Sequence, residues 1–283
     1  MNPAAIVDSH VHLWNPAQFR YAWLNGLPTL NQAFQPADFA AASASADVNK
    51  FVFVECGCEP AQSLAEVDWI STLANSKPRL KGIVAHASLE HGEAVRPELE
   101  MLASRPLVKG VRRNLQSEPD LEFPLQSSFL SGVRLLAEFG FTFDLCLRHE
   151  QLPAAAELAR RVPEVTFVLD HLGKPDVRNQ SFQPWANDLN ALASLPNVVA
   201  KISGLTTEAN WHDWQPAELM PFLSQAFASF GPERLMFGSD WPVMTLATSY
   251  QRWLETVQAH VPFSKERDWV QFFGTNAERI YRV

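Results

Sequence analysis

Two histidines two residues apart, His10 and His12, follow the apolar pair Ile6-Val7 in the segment Asp8-Ser9-His10-Val11-His12. Side chains at i and i+2 of a strand point the same way, so both imidazoles share a face, about 7 Å apart along the backbone. Two imidazoles aimed at one point can hold a divalent ion or polarise a substrate. Two other apolar runs open into polar residues in the same manner. Residues 167–169 lead into Asp170-His171-Leu172-Gly173-Lys174-Pro175, and Met236-Phe237 leads into Gly238-Ser239-Asp240-Trp241-Pro242. Glycine and proline force a loop at once, leaving the polar side chains at strand ends. Of the two carboxylates Asp240 is the preferred base, because strand alternation lets only one of the neighbours Asp170 and His171 face inward. Residues 108–111 run into Arg112-Arg113, one of which offers a fork of donors at the same end. Lys201 and Ser203 share a face, with Ser203 nearer the end, and Glu55 closes the run 51–54. Arg148-His149-Glu150 stands just past the run 141–147. His86 lies within a strand facing either way, and His91, His212 and His260 lie in polar or helical contexts.

These residues need a scaffold that gathers strand ends. Eight β-branched or aromatic runs recur, at 6–7, 51–54, 83–89, 108–111, 141–147, 166–169, 198–202 and 235–237. Between them apolar residues fall at helical spacing, as in Leu64, Val67, Ile70 and Leu73, or Leu219, Phe222, Leu223, Ala226 and Phe227. Strands separated by helices require right-handed crossovers and a parallel sheet. With no linker, repeat or composition break, a single domain over 1–283 is expected, an α/β chain closed as a distorted (β/α)₈ barrel. A doubly wound open sheet is the rival, but no glycine-rich phosphate loop follows the first run. The chain after Trp241 reads as helical. Residues 13–35 break the cadence, carrying Trp14, Phe19, Tyr21 and Trp23. A loop this long inside a compact domain is expected to cover a binding site, with a packed surface excursion as the alternative.

Composition removes several function classes. The net charge is −8 and no basic run exceeds two residues, so neither nucleic acid nor an anionic membrane is an expected partner. Apolar residues make up 47% and charged ones 19%, which argues against disorder. Three cysteines, with no CxxC pair, make neither a disulfide framework nor a zinc knuckle. No run of about 18 apolar residues occurs, and the first dozen residues lack a leader's basic start. A cytoplasmic enzyme is expected, with homo-oligomerisation left open.

The strings DSHVHLW (8–14), RYAWL (20–24), KGVR (109–112), FVLDHLGKP (167–175), KISGL (201–205) and RLMFGSDWPV (234–243) together resemble the amidohydrolase-related lactonases of the amidohydrolase superfamily. The resemblance runs in order from Asp8 to about Tyr250. It is closest to sugar-lactone hydrolases of the fuconolactonase and rhamnonolactonase type, with pyrone dicarboxylate and sulfomuconolactone hydrolases also similar. It implies a lactonase whose catalytic set is His10, His12, His171 and Asp240, acting on a small sugar lactone. Arg112 matches the substrate-holding arginine of strand four, and Ser203, His149, Tyr21 and Trp23 are the further expected substrate contacts. If a metal is present, one Zn²⁺ or other divalent ion is expected on His10, His12, Asp240 and Glu55. A second ion is not expected, because no Lys or Glu stands at the end of strand four to bridge two. The resemblance also covers enzymes that work without metal. Rival readings are another hydrolase or decarboxylase of this fold, and a barrel that binds sugar acids without turnover.

Overall fold

The computed structural model describes residues 5–76 and 79–283. Strands and helices alternate along them: β1 (Ile6–Val11), α1 (Pro36–Ala42), β2 (Val48–Val54), α2 (Ser63–Ser76), β3 (Leu80–His86), α3 (Arg96–Ala103), β4 (Val108–Arg112) and α4 (Ser127–Phe139). There follow β5 (Thr142–Leu145), α5 (Leu152–Arg161), β6 (Phe167–Leu169), α6 (Trp185–Ala193), β7 (Val198–Ile202), α7 (Pro216–Phe230) and β8 (Leu235–Phe237). Three helices end the chain, α8 (Tyr250–His260), α9 (Glu266–Val270) and α10 (Asn276–Tyr281). The eight strands pair in chain order and all in parallel, as crossovers through helices require. The result is the (β/α)₈ barrel that the cadence predicts. The runs at 198–202 and 235–237 match their strands, β1 continues past Val7 to Val11, and β3 stops at His86 instead of residue 89.

Among the described residues the barrel closes at one end, through backbone bonds beside the two histidines. Val11 bridges Trp241, the Asp240 N–H donates to His10 O at 2.9 Å, and the His12 N–H donates to Trp241 O at 2.7 Å. A bulge in β1 prepares this seam. Asp8 pairs with Phe51 and Val11 with Phe53, three steps on one strand against two on the other. The extra residue lets Val7 and His10 both face inward while Asp8 turns out to α8, where Tyr250 donates to it at 3.0 Å. Burial pushes the Asp8 carboxyl up to about 6 despite that bond and two backbone donors, His10 and Ser239.

Inside, the barrel is layered. Val7, Val52, Val54, Val84, Val168, Val199 and Met236 fill the lower layer, and α10 closes it with Ala277 and Tyr281. The inward positions of β5 and β7 then turn polar, with Thr142, Asp144 and Lys201 above the valines, all buried. Cys56 and Cys146 are buried and all three cysteines are free, as small apolar fillers. The Tyr281 hydroxyl reaches through the lower layer to donate to Asp144 Oδ2 at 2.6 Å. Removing a partner from a buried polar group costs about 1–3 kcal/mol. Tyr281→Phe should therefore lower the unfolding free energy by that amount, seen as a lower urea midpoint with an unchanged slope. An unchanged midpoint would detach the C-terminal helix from the polar floor.

Candidate active site

His10, His12, His171 and Asp240 meet at the C-terminal ends of β1, β6 and β8, all of them buried. The Nε2 atoms of His10 and His12 are 3.2 Å apart, and Asp240 Oδ1 lies 3.7 and 3.3 Å from them. His171 Nε2 stands 3.9 Å from the same oxygen. His12 donates from Nδ1 to the Val54 carbonyl at 2.8 Å, which leaves its Nε2 lone pair facing the group. His171 is oriented by Ser203, whose hydroxyl lies 2.9 Å from Nδ1. Burial holds His171 down to about 4, so the ring is neutral at pH 7 although Asp240 and Asp170 pull the other way. Burial pushes the Asp240 carboxyl up, but His171 first, then the other two histidines, hold it below the usual carboxylate range.

Asp170 and His171 both reach the interior, contrary to the alternation argument. β6 ends at Leu169, and His171, Leu172 and Lys174 have φ of 53°, 53° and 49° with Gly173 at 70°. This left-handed turn swings the second side chain round beside the first. It needs room on the facing strand, and a Cβ at Gly204 would stand 2.5 Å from His171 Nδ1. Asp240 is left-handed as well, with φ of 65°.

Below the cluster lies a charged floor. Lys201 Nζ sits 2.6 Å from Asp144 Oδ2 and 3.0 Å from Asp170 Oδ1, all three fully buried. Arg112, rather than Arg113, points inward. Its Nε donates to Glu55 Oε1 at 2.6 Å, its Nη1 to Asp170 Oδ2 at 3.2 Å and its Nη2 to the Glu55 carbonyl. The substrate arginine expected from the sequence thus spends three bonds holding the scaffold. Glu55 leaves the expected ligand set for the same reason, since Arg112 and the Gly57 N–H, each at 2.6 Å, occupy its two oxygens. Among the described residues two triads have ligand atoms within 4.8 Å of one another, His10-His12-Asp240 and His10-Asp170-His171. Asp170 entered the sequence reading only as the less favoured base and Asp144 had no role in it, a lone carboxylate in the apolar run FTFDLCL being the available signal for Asp144.

The Amidohydrolase family pattern matches residues 7–283. The chain belongs to the amidohydrolase family. It is 30% identical to an L-fucono-1,5-lactonase from Burkholderia multivorans over 88% of both chains. A second L-fucono-1,5-lactonase, from Burkholderia ambifaria, is 28% identical over 98% of this chain and 95% of its own. A crystal structure of an amidohydrolase from Burkholderia multivorans with bound zinc superposes with a TM-score of 0.88 at 28% identity, covering 99% of this chain and all of that one.

The mouth of this amidohydrolase has an aromatic side and a charged side. The 13–35 segment folds back through a Trp14–Phe34 bridge, and the Trp14 ring lies 6.4 Å from His12 and meets Trp23 edge-on at 5.3 Å. Trp23 is 38% exposed, with its indole bonded to the Cys56 carbonyl, and so stands at the rim where a ligand can touch it. Tyr21 does not. It is buried and donates to Glu66 at 3.0 Å, which makes it an anchor of the loop and not the expected substrate contact. On the opposite side His149 is partly exposed beside Glu150, while Lys174 reaches Gln116 at 2.6 Å and lies 3.9 Å from Glu208. Among the described residues no helix is long and apolar enough to cross a membrane.

Burial, and next the charge of Glu55, push Glu66 up to about 8. The folded chain keeps this proton long after the unfolded chain loses it near 4.5. The resulting stability is complete below that pH and drains away as pH rises toward 8. Glu66→Gln, which keeps an acceptor for Tyr21 and cannot ionise, should gain on the wild type by about 2.5 kcal/mol between pH 5 and pH 7. Equal offsets in melts at pH 5 and pH 8 would mean that Glu66 is ionised when folded.

Proposed function

We propose that this chain hydrolyses the ring ester of a neutral sugar lactone, of the L-fucono-1,5-lactone kind, to the free sugar acid. The observation that carries the reading is the convergence of three histidines and Asp240 on one point at the barrel's catalytic face. The names of the Burkholderia relatives support the substrate class. Lactone hydrolysis needs a deprotonated water, donors for the carbonyl oxygen as it gains charge, and a proton for the departing ring oxygen. Asp240 takes the water proton and returns it to the ring oxygen. Neutral His171, set by Ser203, turns Nε2 toward the reacting group.

A divalent ion fits the donor set. Tetrahedral zinc with bonds of about 2.0–2.1 Å spaces its ligands about 3.3 Å apart, and the His10, His12 and Asp240 atoms are 3.2, 3.3 and 3.7 Å apart. Charge agrees: the buried carboxylates Glu55, Asp144, Asp170 and Asp240 face two buried cations, Arg112 and Lys201, a formal excess of two negative charges. His10, His12 and Asp240 would hold it, with His171 beside them. A carboxylate as acidic as Asp240 is a weak base toward bulk water, and Zn²⁺ at this place would supply the missing acidity by bringing its bound water to a pKa of about 7.

The cations of the site argue for an uncharged ligand. Arg112 is committed to Glu55 and Asp170, Lys201 to Asp144 and Asp170, and Arg113 to Glu90 and Glu118. At the rim, Lys174 faces Glu208, while Arg148 bonds only the neutral Gln116 carbonyl, which leaves one uncompensated charge against the two of a dicarboxylate. A dicarboxylate would need free cations to offset its desolvation. A polyhydroxy ring needs donors and acceptors, and one flank against Trp23.

Two measurements test the reading. Asp240→Asn should lose on the order of 10² to 10⁴ in turnover with an unchanged fold, and retention of more than about a tenth of activity would remove Asp240 from the mechanism. In kcat/KM, L-fucono-1,5-lactone should exceed 2-pyrone-4,6-dicarboxylate by at least tenfold, about 1.4 kcal/mol. A tenfold preference for the dianion would overturn the substrate class.

A further inference from the structure

The floor offers His10 two partners that ask for opposite protonation. His10 Nδ1 lies 3.2 Å from Lys201 Nζ and 3.2 Å from Asp170 Oδ1. An ammonium can only donate and an ionised carboxylate can only accept. Nδ1 therefore accepts from Lys201 in one tautomer, and in the other its hydrogen is offered to Asp170 Oδ1, a buried oxygen with no hydrogen-bond partner in the present arrangement. Both partners are pinned from behind. Asp144 Oδ2 holds Lys201 at 2.6 Å and is itself held by the Tyr281 hydroxyl, while Arg112 Nη1 holds Asp170 at 3.2 Å. Lys201 Nζ and Arg112 Nη1 stand 3.2 and 3.5 Å from the two ring nitrogens, so a second ring proton would meet a fixed cation, and the choice is between tautomers and not between charges.

The consequence appears at the other nitrogen. His12 Nε2 carries a lone pair, fixed by the bond from Nδ1 to Val54 O. With Lys201 donating, His10 has its hydrogen on Nε2, and a chain of donors runs from Lys201 through His10 and His12 to the Val54 carbonyl. With Asp170 accepting, two lone pairs face each other at 3.2 Å beside the Asp240 carboxylate. Arg112 Nη1, 3.5 Å from His10 Nε2, offers one of the lone pairs a long contact, and a divalent cation between the rings satisfies both.

We propose that Lys201 and Asp170 act as a tautomer selector for His10. It carries Nε2–H, donated to His12 Nε2, when no cation lies among the side chains above. It carries Nδ1–H, with Nε2 free to ligate, when a divalent cation binds. One hydrogen leaves Nε2 for water and one reaches Nδ1 from water, so the ring's proton count is unchanged. Lys201 and Asp170 are positioning residues in this scheme, and the centre serves either as a hydrogen-bonding group or as a cation site. The inference rests on the reading of His10 and His12 as the reactive pair, but not on any substrate.

Long-range proton–nitrogen NMR of histidine-labelled protein tests it, with the His10 signals assigned by their loss in His10→Asn. Chelator-treated wild type should show His10 protonated at Nε2, and one equivalent of Zn²⁺ should move the hydrogen to Nδ1. Chelator-treated Lys201→Met should show Nδ1–H without zinc. Nδ1–H in the chelated wild type overturns the proposal, as does a His10 signal that zinc leaves in place. If Lys201→Met fails to fold, the wild-type pair of spectra still decides. A protein that shows the shift but opens no lactone fails only the proposed function, and a lactonase whose His10 keeps one tautomer fails only this inference.

Discussion

A buried ammonium and a buried guanidinium hold the inside of this barrel together. Lys201 lies between Asp144 and Asp170, and Arg112 between Asp170 and Glu55, so Asp170 is shared by both cations. Removing an ion from water costs several kcal/mol even after the protein relaxes. A layer of leucines would fill the same space at lower cost. What such a layer could not do is fix the direction of His10, which touches Asp170, Lys201 and Arg112 at 3.2 to 3.5 Å. The floor trades stability for the placement of one imidazole.

The same logic ties the chain's two ends to the site. His10 and His12 come from the first strand, Asp240 follows the last, and the backbone bonds that close the barrel join these residues directly. A (β/α)₈ chain must therefore complete its last crossover before its reactive group exists. Tyr281 adds a second tie, because its hydroxyl reaches Asp144, which holds Lys201, which touches His10. Packing of the final helix and geometry of the first strand are one problem.

Local spacing carried much of this. Period-two alternation places His10, His12, Lys201 and Ser203 on inward faces, and the apolar runs locate all eight strands. It fails where the backbone leaves the strand: nothing in alternation foresees a left-handed turn that brings Asp170 and His171 inward together. It fails again where a partner is distant in sequence. Tyr21 meets Glu66 forty-five residues on, and Arg112 meets Glu55 fifty-seven residues back, so a loop aromatic and a strand-end arginine look available for substrate when each is already engaged. Residue type showed that a charge was present, but not what would neutralise it.

Backbone conformation adds a last constraint. Asp240 and His171, the two groups nearest the proposed chemistry that do not come from β1, both sit at positive φ. A non-glycine residue there costs of order 1–3 kcal/mol and persists only where its surroundings over-determine it. For Asp240 they do so through its N–H to His10 O and its carbonyl from the Met244 N–H, both at 2.9 Å. For the His171 turn they do so through the Trp185 indole on Leu172 O and the Ser203 hydroxyl on the ring. Each of these clamps comes from a different element of the barrel. A side chain held this way has little freedom to relax toward a preferred rotamer of its own, so the electrostatic field at the point where it meets His10 and His12 is set before any ligand arrives. That is the condition under which a few dipoles and one carboxylate, acting in a site closed to bulk water, can stabilise a developing oxyanion.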